Sequence, residues 1–202
     1  MRVLFCRTTG EGFVYTPAMT TPMIRYDFYH LTIWPLEDAL PRLLARVYGG
    51  GHRAVVLAGS EERVRVLNAL LWTFDASSWL PHGSREDGDP GRHPIWLTTD
   101  IENPNAADVL VLTDGAWPKE QGGFTRVLNL FDGRNGPVVE AARGHWRILR
   151  DQGVELRYWS QDDQGRWIEK ARENAEETGK KGGEHTASLD VGRDGTGLKT
   201  IK

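Results

Sequence analysis

The residue types that commonly carry catalysis are present in this chain, but their spacing forms none of the familiar catalytic motifs. There is no GxxxxGK(S/T) phosphate loop, no GxGxxG turn between a strand and a helix, and no GxSxG nucleophile elbow. The six histidines never occur four residues apart and no HExxH is present, so a metal site has little support. The single cysteine, Cys6, excludes an internal disulfide and fits a reducing compartment. We therefore expect no cofactor, no metal and no catalytic activity.

Acidic residues provide the remaining case for an active site. Asp100, Glu102 and Asp108 flank an NPN run in the connection between two predicted strands. They could form a carboxylate cluster, but Asp, Asn and Pro are also ordinary turn residues, and we favour the turn. The alternative function is a nucleotide-binding α/β enzyme whose site would lie at the carboxyl ends of strands, near Ser60, Thr99, Asp100 and Asp114.

A basic stripe on the last predicted helix is the first feature that suggests binding. Arg143, Arg147 and Arg150 are spaced to lie on one side of that helix, and Trp146 lies at the border of the stripe. The residues expected to face the sheet are Val138, Ala142, His145 and Leu149. Three arginines alone could form a solvated face. Together with an aromatic ring they also suit an acidic peptide that carries an apolar anchor.

A pair of tryptophans is the second such feature. On the helix that begins after Ser60, Trp72 projects away from the apolar stripe formed by Val64, Leu67, Leu71 and Phe74. Trp79 follows in the loop SSWLPHG. A neighbouring loop could cover both rings, or they could form an exposed patch for a second protein. We expect His82 in this loop to be a simple hydrogen-bonding residue.

Strand and helix patterns alternate through the segment that positions these residues. Predicted strands occupy residues 25–32, 53–58, 95–99, 108–113, 126–131 and 155–159, and predicted helices occupy residues 35–48, 60–74 and 136–152. Pro41 should kink or interrupt the first helix, and Gly153 should close the last one. Strands separated by helices of this length predict an α/β fold with a mostly parallel sheet covered on both faces.

Composition predicts one soluble domain with polar ends. Residues 24–170 form the domain, residues 1–23 are expected to be a loose arm or an over-long start, and residues 171–202 a disordered polar tail. No apolar run is long enough to span a membrane, and we expect a cytoplasmic protein. The net charge of −3 argues against a broad grip on phosphates, so contact with nucleic acid should be mainly indirect.

An ordered set of segments resembles the chi subunit family of bacterial DNA polymerase III. The resemblance covers roughly residues 25–170 and is carried by FYHLT, PLEDALPRLL, GHRAVVLAG, ALLWTF, SSWLPHG, PIWLTT and NPNAADVLVLTDG. It implies a Rossmann-like three-layer sandwich that lacks a nucleotide-binding loop. It also implies a non-catalytic adaptor that links the clamp loader, through the psi subunit or an equivalent, to the acidic C-terminal tail of single-stranded DNA-binding protein.

The resemblance also implies two sets of binding residues. The tail-binding set is Arg143, Trp146, Arg147, Arg150, Phe131 and Tyr158. The set facing psi or another partner is Trp72, Trp79, Leu80, Pro81 and His82. Val139 stands where other family members can carry a basic residue, so the first surface is expected to be less cationic. A helicase is an alternative partner for the tryptophan surface.

Overall fold

The computed structural model describes residues 24–75, 79–120 and 122–175. The strands are β1 (Arg25–Leu31), β2 (Ala54–Leu57), β3 (His82–Ser84), β4 (Ile95–Thr98), β5 (Val109–Leu112), β6 (Arg126–Asp132), β7 (Glu155–Gln161) and β8 (Trp167–Glu173). The helices are α1 (Leu36–Gly49), α2 (Glu61–Thr73) and α3 (Gly136–Asp151). Cys6, the predicted arm at 1–23 and the predicted tail from residue 176 lie outside the described residues.

The strands form one sheet in the order β3-β4-β2-β5-β6-β1-β7-β8. Only β8 runs antiparallel to its neighbour in this sheet. Apolar residues of α1 and α2 pack on one face in one buried cluster, and those of α3 pack on the other face in a second. Strands β2 and β5 are buried along their whole length because they are covered on both faces. The predicted α/β sandwich with a mostly parallel sheet is confirmed.

Local sequence signals account for the helix ends. The Ser60 side chain accepts a hydrogen bond from the backbone N–H of Arg63 at the start of α2. Asn135 does the same for the N–H of Val138 at the start of α3. Gly153 follows α3 with φ of +77°, a left-handed conformation that glycine adopts without strain. These ends fix where the side chains of α2 and α3 lie over the sheet.

Three features differ from the sequence expectations. Helix α1 runs unbroken through Pro41, which is buried, so the predicted interruption of the helix is wrong. Strand β3 was not predicted because its three residues, His82–Ser84, are too few to show a period. Strand β8 was also missed, and it carries regular structure to Glu173, past the tail boundary placed at residue 171. None of the described helices is long and apolar enough to span a membrane.

Candidate functional site

A cavity of about 320 Å³ lies on the α3 face of the sheet, beside the β7 and β8 edge. Strand pairing places its walls: Phe28 of β1 lies opposite Tyr158 of β7 in register, so both rings project from the same face. Helix α3 closes the other side. The lining residues are Phe28, Phe131, Val139, Ala142, Arg143, Trp146, Arg147, Tyr158, Ala171 and Glu173.

Aromatic rings form most of the interior surface of this α3 cavity. The Trp146 ring packs edge-on against Phe28, with ring centroids 5.2 Å apart, and against Tyr158, with centroids 6.0 Å apart. Phe131 is buried and stacks on the His30 ring at 4.9 Å. Such packed rings hold one another in place. The α3 cavity is therefore a shaped apolar pocket that could take a ring or a large aliphatic side chain.

Two arginines stand at the mouth of the α3 cavity. Arg143 pairs with Glu140 in an exposed ion pair, which solvent weakens, so its guanidinium remains available to a ligand. Arg147 lies one turn further along α3, and its Nε donates to the Arg143 backbone oxygen at a long 3.3 Å. Glu173 of β8 also lines the opening and adds one negative charge. The site thus combines an apolar interior with two cations at its entrance.

Arg150, which the sequence grouped with these two arginines, does not line the α3 cavity. Its guanidinium nitrogens donate to Asp151 Oδ1 at 3.1 and 3.0 Å. The spacing correctly placed it on the polar side of α3, but spacing alone does not show how far along the helix the cavity reaches. His145, which was expected to face the sheet, is half-buried and stacks at 3.6 Å on Trp117, whose ring packs in turn on Tyr26 of β1.

A hydrogen bond behind the α3 cavity holds the Tyr158 side chain. The Tyr158 hydroxyl lies 2.6 Å from His30 Nδ1. Burial, together with the nearby Arg143 guanidinium, lowers the pKa of His30 below its ordinary value of 6.5. Burial also raises the pKa of Tyr158. A neutral imidazole therefore meets a neutral phenol. Sequence reasoning missed Phe28 and His30, because their role depends on strand pairings between distant residues.

The two tryptophans of the second predicted surface are exposed. Trp72 on α2 is 57% accessible, and Trp79 in the following loop is 76% accessible. No neighbouring loop in the described part of the chain covers them. We call these two residues the tryptophan patch. Large exposed apolar rings are typical of an interaction surface.

The loop residues beside the tryptophan patch have a supporting role. Leu80 and His82 are each only 2% accessible in the isolated chain, and Pro81 is half-buried. His82 lies 2.6 Å from the Leu80 backbone oxygen and 3.1 Å from the Asn68 backbone oxygen, which ties the loop to α2. Its ring also packs against Trp72. The expectation that His82 forms hydrogen bonds is confirmed, although the residue begins strand β3 and does not lie in the loop.

The residues of the alternative nucleotide site are held in structural contacts. Ser60 caps α2, Thr99 donates to Glu61 at 2.9 Å, and Asp100 pairs with Arg85. Asp114 accepts two hydrogen bonds from Arg63. The crevice at the carboxyl ends of the strands is lined by Glu37, Asp114 and Asp132, and each of these carboxylates already forms an ion pair with an arginine of the same crevice.

The described residues also contain no group of three or more His, Cys, Asp or Glu side chains placed to hold a metal ion. The fold and its sites thus define a Rossmann-like α/β domain with an arginine-rimmed aromatic cavity, and with ion pairs where such folds usually bind a nucleotide. Comparison with known proteins agrees with this class. A family model described as DNA polymerase III chi subunit, HolC, matches residues 23–157. The chain belongs to this chi subunit family.

Two relatives illustrate the breadth of the match. A probable DNA polymerase III subunit chi from Rickettsia prowazekii is 33% identical over 90 residues, which cover 45% of this chain and 54% of that protein. The DNA polymerase III subunit chi from Pseudomonas aeruginosa is 26% identical over 140 residues, which cover 66% of this chain and 94% of that protein. The match thus spans about half the length of the first relative and nearly all of the second.

Proposed function

We propose that this chain is a non-catalytic replisome adaptor that binds the acidic C-terminal tail of single-stranded DNA-binding protein and, through a second surface, the clamp loader. One observation carries the proposal: the α3 cavity joins an apolar aromatic interior to two arginines at its mouth. That arrangement matches a peptide with a terminal aromatic residue and neighbouring carboxylates. The family name supports a place in the polymerase III assembly.

In the proposed complex, the terminal phenylalanine of the tail enters the cavity between Trp146 and Tyr158. The carboxylates of the peptide pair with Arg143 and Arg147, which flank the entrance. Binding replaces the weak Arg143–Glu140 contact, so the contribution of Arg143 to the binding free energy is the difference between the energies of two ion pairs. The interior provides the apolar part of the affinity. The arginines fix the orientation of the bound peptide and make its affinity depend on salt concentration.

The clamp loader is proposed to contact the tryptophan patch, through psi or an equivalent subunit. The patch lies beside β3 at one edge of the sheet and on the α2 face, whereas the α3 cavity lies near the other edge on the opposite face. Both partners can therefore bind at the same time. Such bivalent attachment makes the second binding event intramolecular and raises overall avidity.

Calorimetry with an Asp-rich, Phe-terminated peptide tests the first surface. Replacing Arg143 with alanine should weaken binding by about 1.5 kcal/mol, the lower end for a charged hydrogen bond, because the free protein also loses its contact with Glu140. The double variant Arg143→Ala, Trp146→Ala should abolish measurable binding. Arg150→Ala is the matched control, because it removes the same charge from the same helix outside the cavity. Wild-type affinity in the double variant would contradict the proposal.

A pull-down with purified psi or clamp loader tests the second surface. The double variant Trp72→Ala, Trp79→Ala should lose the partner, since exposed tryptophans commonly contribute about 2 kcal/mol or more each at interfaces. Tyr48→Ala removes an exposed ring on α1, away from the patch, and should bind normally. Retention of the partner by the tryptophan variant would reject this surface. A parallel pull-down with a purified helicase tests the alternative partner: loss of the helicase by this variant, with the clamp loader retained, would assign the patch to the helicase.

A further inference from the structure

A second cavity, of about 320 Å³, lies on the opposite face of the sheet, between α1 and the strands β1, β6, β7 and β8. We call it the α1 cleft. Its aromatic lining residues are Tyr29, Trp34, Trp159 and Trp167, and its basic ones are Arg42, Arg46, Arg126, Arg157 and His52. None of them belongs to the α3 cavity or to the tryptophan patch.

The charges in the interior of the α1 cleft are already paired. Asp27 is fully buried, and its Oδ2 accepts from Arg126 Nε at 2.6 Å, while its Oδ1 accepts from the Trp159 indole N–H at 3.0 Å. Arg157 donates to Glu155 at 2.9 Å. The interior is thus polar but close to neutral. It favours an uncharged group with hydrogen-bonding edges over a charged one.

The rim of the α1 cleft, in contrast, carries free positive charge. Arg42 and Arg46 are exposed and lie four residues apart on α1, on successive turns of one face. Neither forms an ion pair with any residue in the described ranges. The Arg42 guanidinium lies 4.7 Å from the centroid of the Trp34 ring, so cation and indole form one platform. Two anionic groups on an extended ligand could bind here.

Flat rings line the cleft below this rim. Tyr29 and Trp159 lie nearly parallel, with an interplanar angle of 8° and centroids 6.0 Å apart. Trp167 meets Tyr29 edge-on at 4.9 Å. Trp34, Trp159 and Trp167 are only half-buried, so parts of their surfaces remain accessible. Accessible rings beside a row of cations are what proteins use to bind single strands, on which bases stack while phosphates meet arginine or lysine.

We propose that the α1 cleft binds single-stranded DNA, with a base against the tryptophans inside and neighbouring phosphates on Arg42 and Arg46. An acidic peptide fits less well. Its apolar anchor would cover the Arg157–Glu155 pair without replacing the lost water, whereas the edges of a base carry donors and acceptors. The net charge of −3 opposes a broad footprint but not the binding of a few nucleotides.

Fluorescence anisotropy with a short labelled oligothymidylate and the full chain tests this site. The double variant Arg42→Ala, Arg46→Ala should weaken binding at least tenfold. Each phosphate contact on a single strand contributes about 0.7 to the slope of log K against log salt, so the slope should fall in magnitude by about 1.4. The matched control, Arg85→Ala with Arg92→Ala, removes two exposed arginines remote from the cleft and should change neither quantity.

Competition with the Asp-rich, Phe-terminated peptide separates this site from the α3 cavity. Because the two sites lie on opposite faces of the sheet, the peptide should not displace the oligonucleotide. Three outcomes would overturn the proposal: equal affinity in the cleft variant and the wild type, displacement by the peptide, or loss of peptide instead of DNA binding in the cleft variant. The peptide titrations with Arg143→Ala report on the α3 cavity independently.

Discussion

Strand β1 contributes residues to both cavities, and it also carries the buried Asp27. Replacing Asp27 tests how much its hydrogen bonds and ion pairs contribute to the stability of the fold. The carboxylate is 0% accessible and contacts three donors: Arg126 Nε at 2.6 Å, Arg25 Nε at 3.2 Å and the Trp159 indole N–H at 3.0 Å. Asp27→Ala would leave all three without their acceptor. Breaking a buried ion pair from one side typically costs about 3–5 kcal/mol.

The structure places the expected loss at the lower end of that range. The side chains of Arg25 and Arg126 are 25% and 30% accessible, so both can recover some hydration after the substitution. We expect Asp27→Ala to reduce the free energy of unfolding by about 3 kcal/mol, which lowers Tm by about 6–12 °C for a domain of this size. Asp27→Asn keeps one acceptor oxygen and should cost less.

Urea denaturation followed by circular dichroism measures this difference. The midpoint should fall while the m-value stays constant, which shows that stability rather than compactness has changed. Glu86→Ala is the control, because it breaks an arginine–carboxylate pair, with Arg65, that is largely exposed and should cost less than about 1 kcal/mol. A loss for Asp27→Ala no larger than that of the control would refute the reasoning.

Three further substitutions and titrations test the site and its supports. Tyr158→Phe removes the hydroxyl that meets His30 and should weaken tail-peptide binding by about 0.5–1.5 kcal/mol in calorimetry; an unchanged affinity would show that the hydrogen bond does not position the ring. Burial lowers the pKa of His30 and of His145, so the unfolded chain binds more protons, and stability should fall as the pH drops below about 6.5. Urea denaturation midpoints between pH 7.5 and 5.5 measure this dependence. A midpoint that does not change with pH would contradict the prediction, and His30→Phe should reduce the pH dependence in part. Ser60→Ala removes the N-cap of α2 and should cost about 1 kcal/mol by the same denaturation assay, whereas no loss would mean that water replaces the cap.

The sequence predicted the elements better than it predicted the sites. Nine strands and helices were expected within two residues of their observed bounds, because hydrophobic period, caps and glycines act locally. Predicting the α3 cavity requires knowledge of which strands pair and in what register. Phe28 and Tyr158 are 130 positions apart and meet only through the register of β1 with β7, which no local pattern encodes. Leu80 was expected to contact a partner but is buried in the isolated chain. Its loop returns onto α2, and no local sequence pattern indicates this return.

The pairing of β1 with β7 explains why the two cavities lie on opposite faces of the same part of the sheet. Along β1 and β7, Phe28 and Tyr158 project toward α3, while Tyr29 and Trp159 project toward α1. Successive side chains of a strand point to opposite faces, so one stretch of paired sheet lines both sites. The tryptophan patch depends instead on α2 and its following loop. A substitution that disturbs the β1–β7 register should therefore weaken both the proposed peptide binding and the proposed DNA binding, and leave the proposed clamp-loader contact intact. Loss of all three together would indicate global unfolding rather than a local effect.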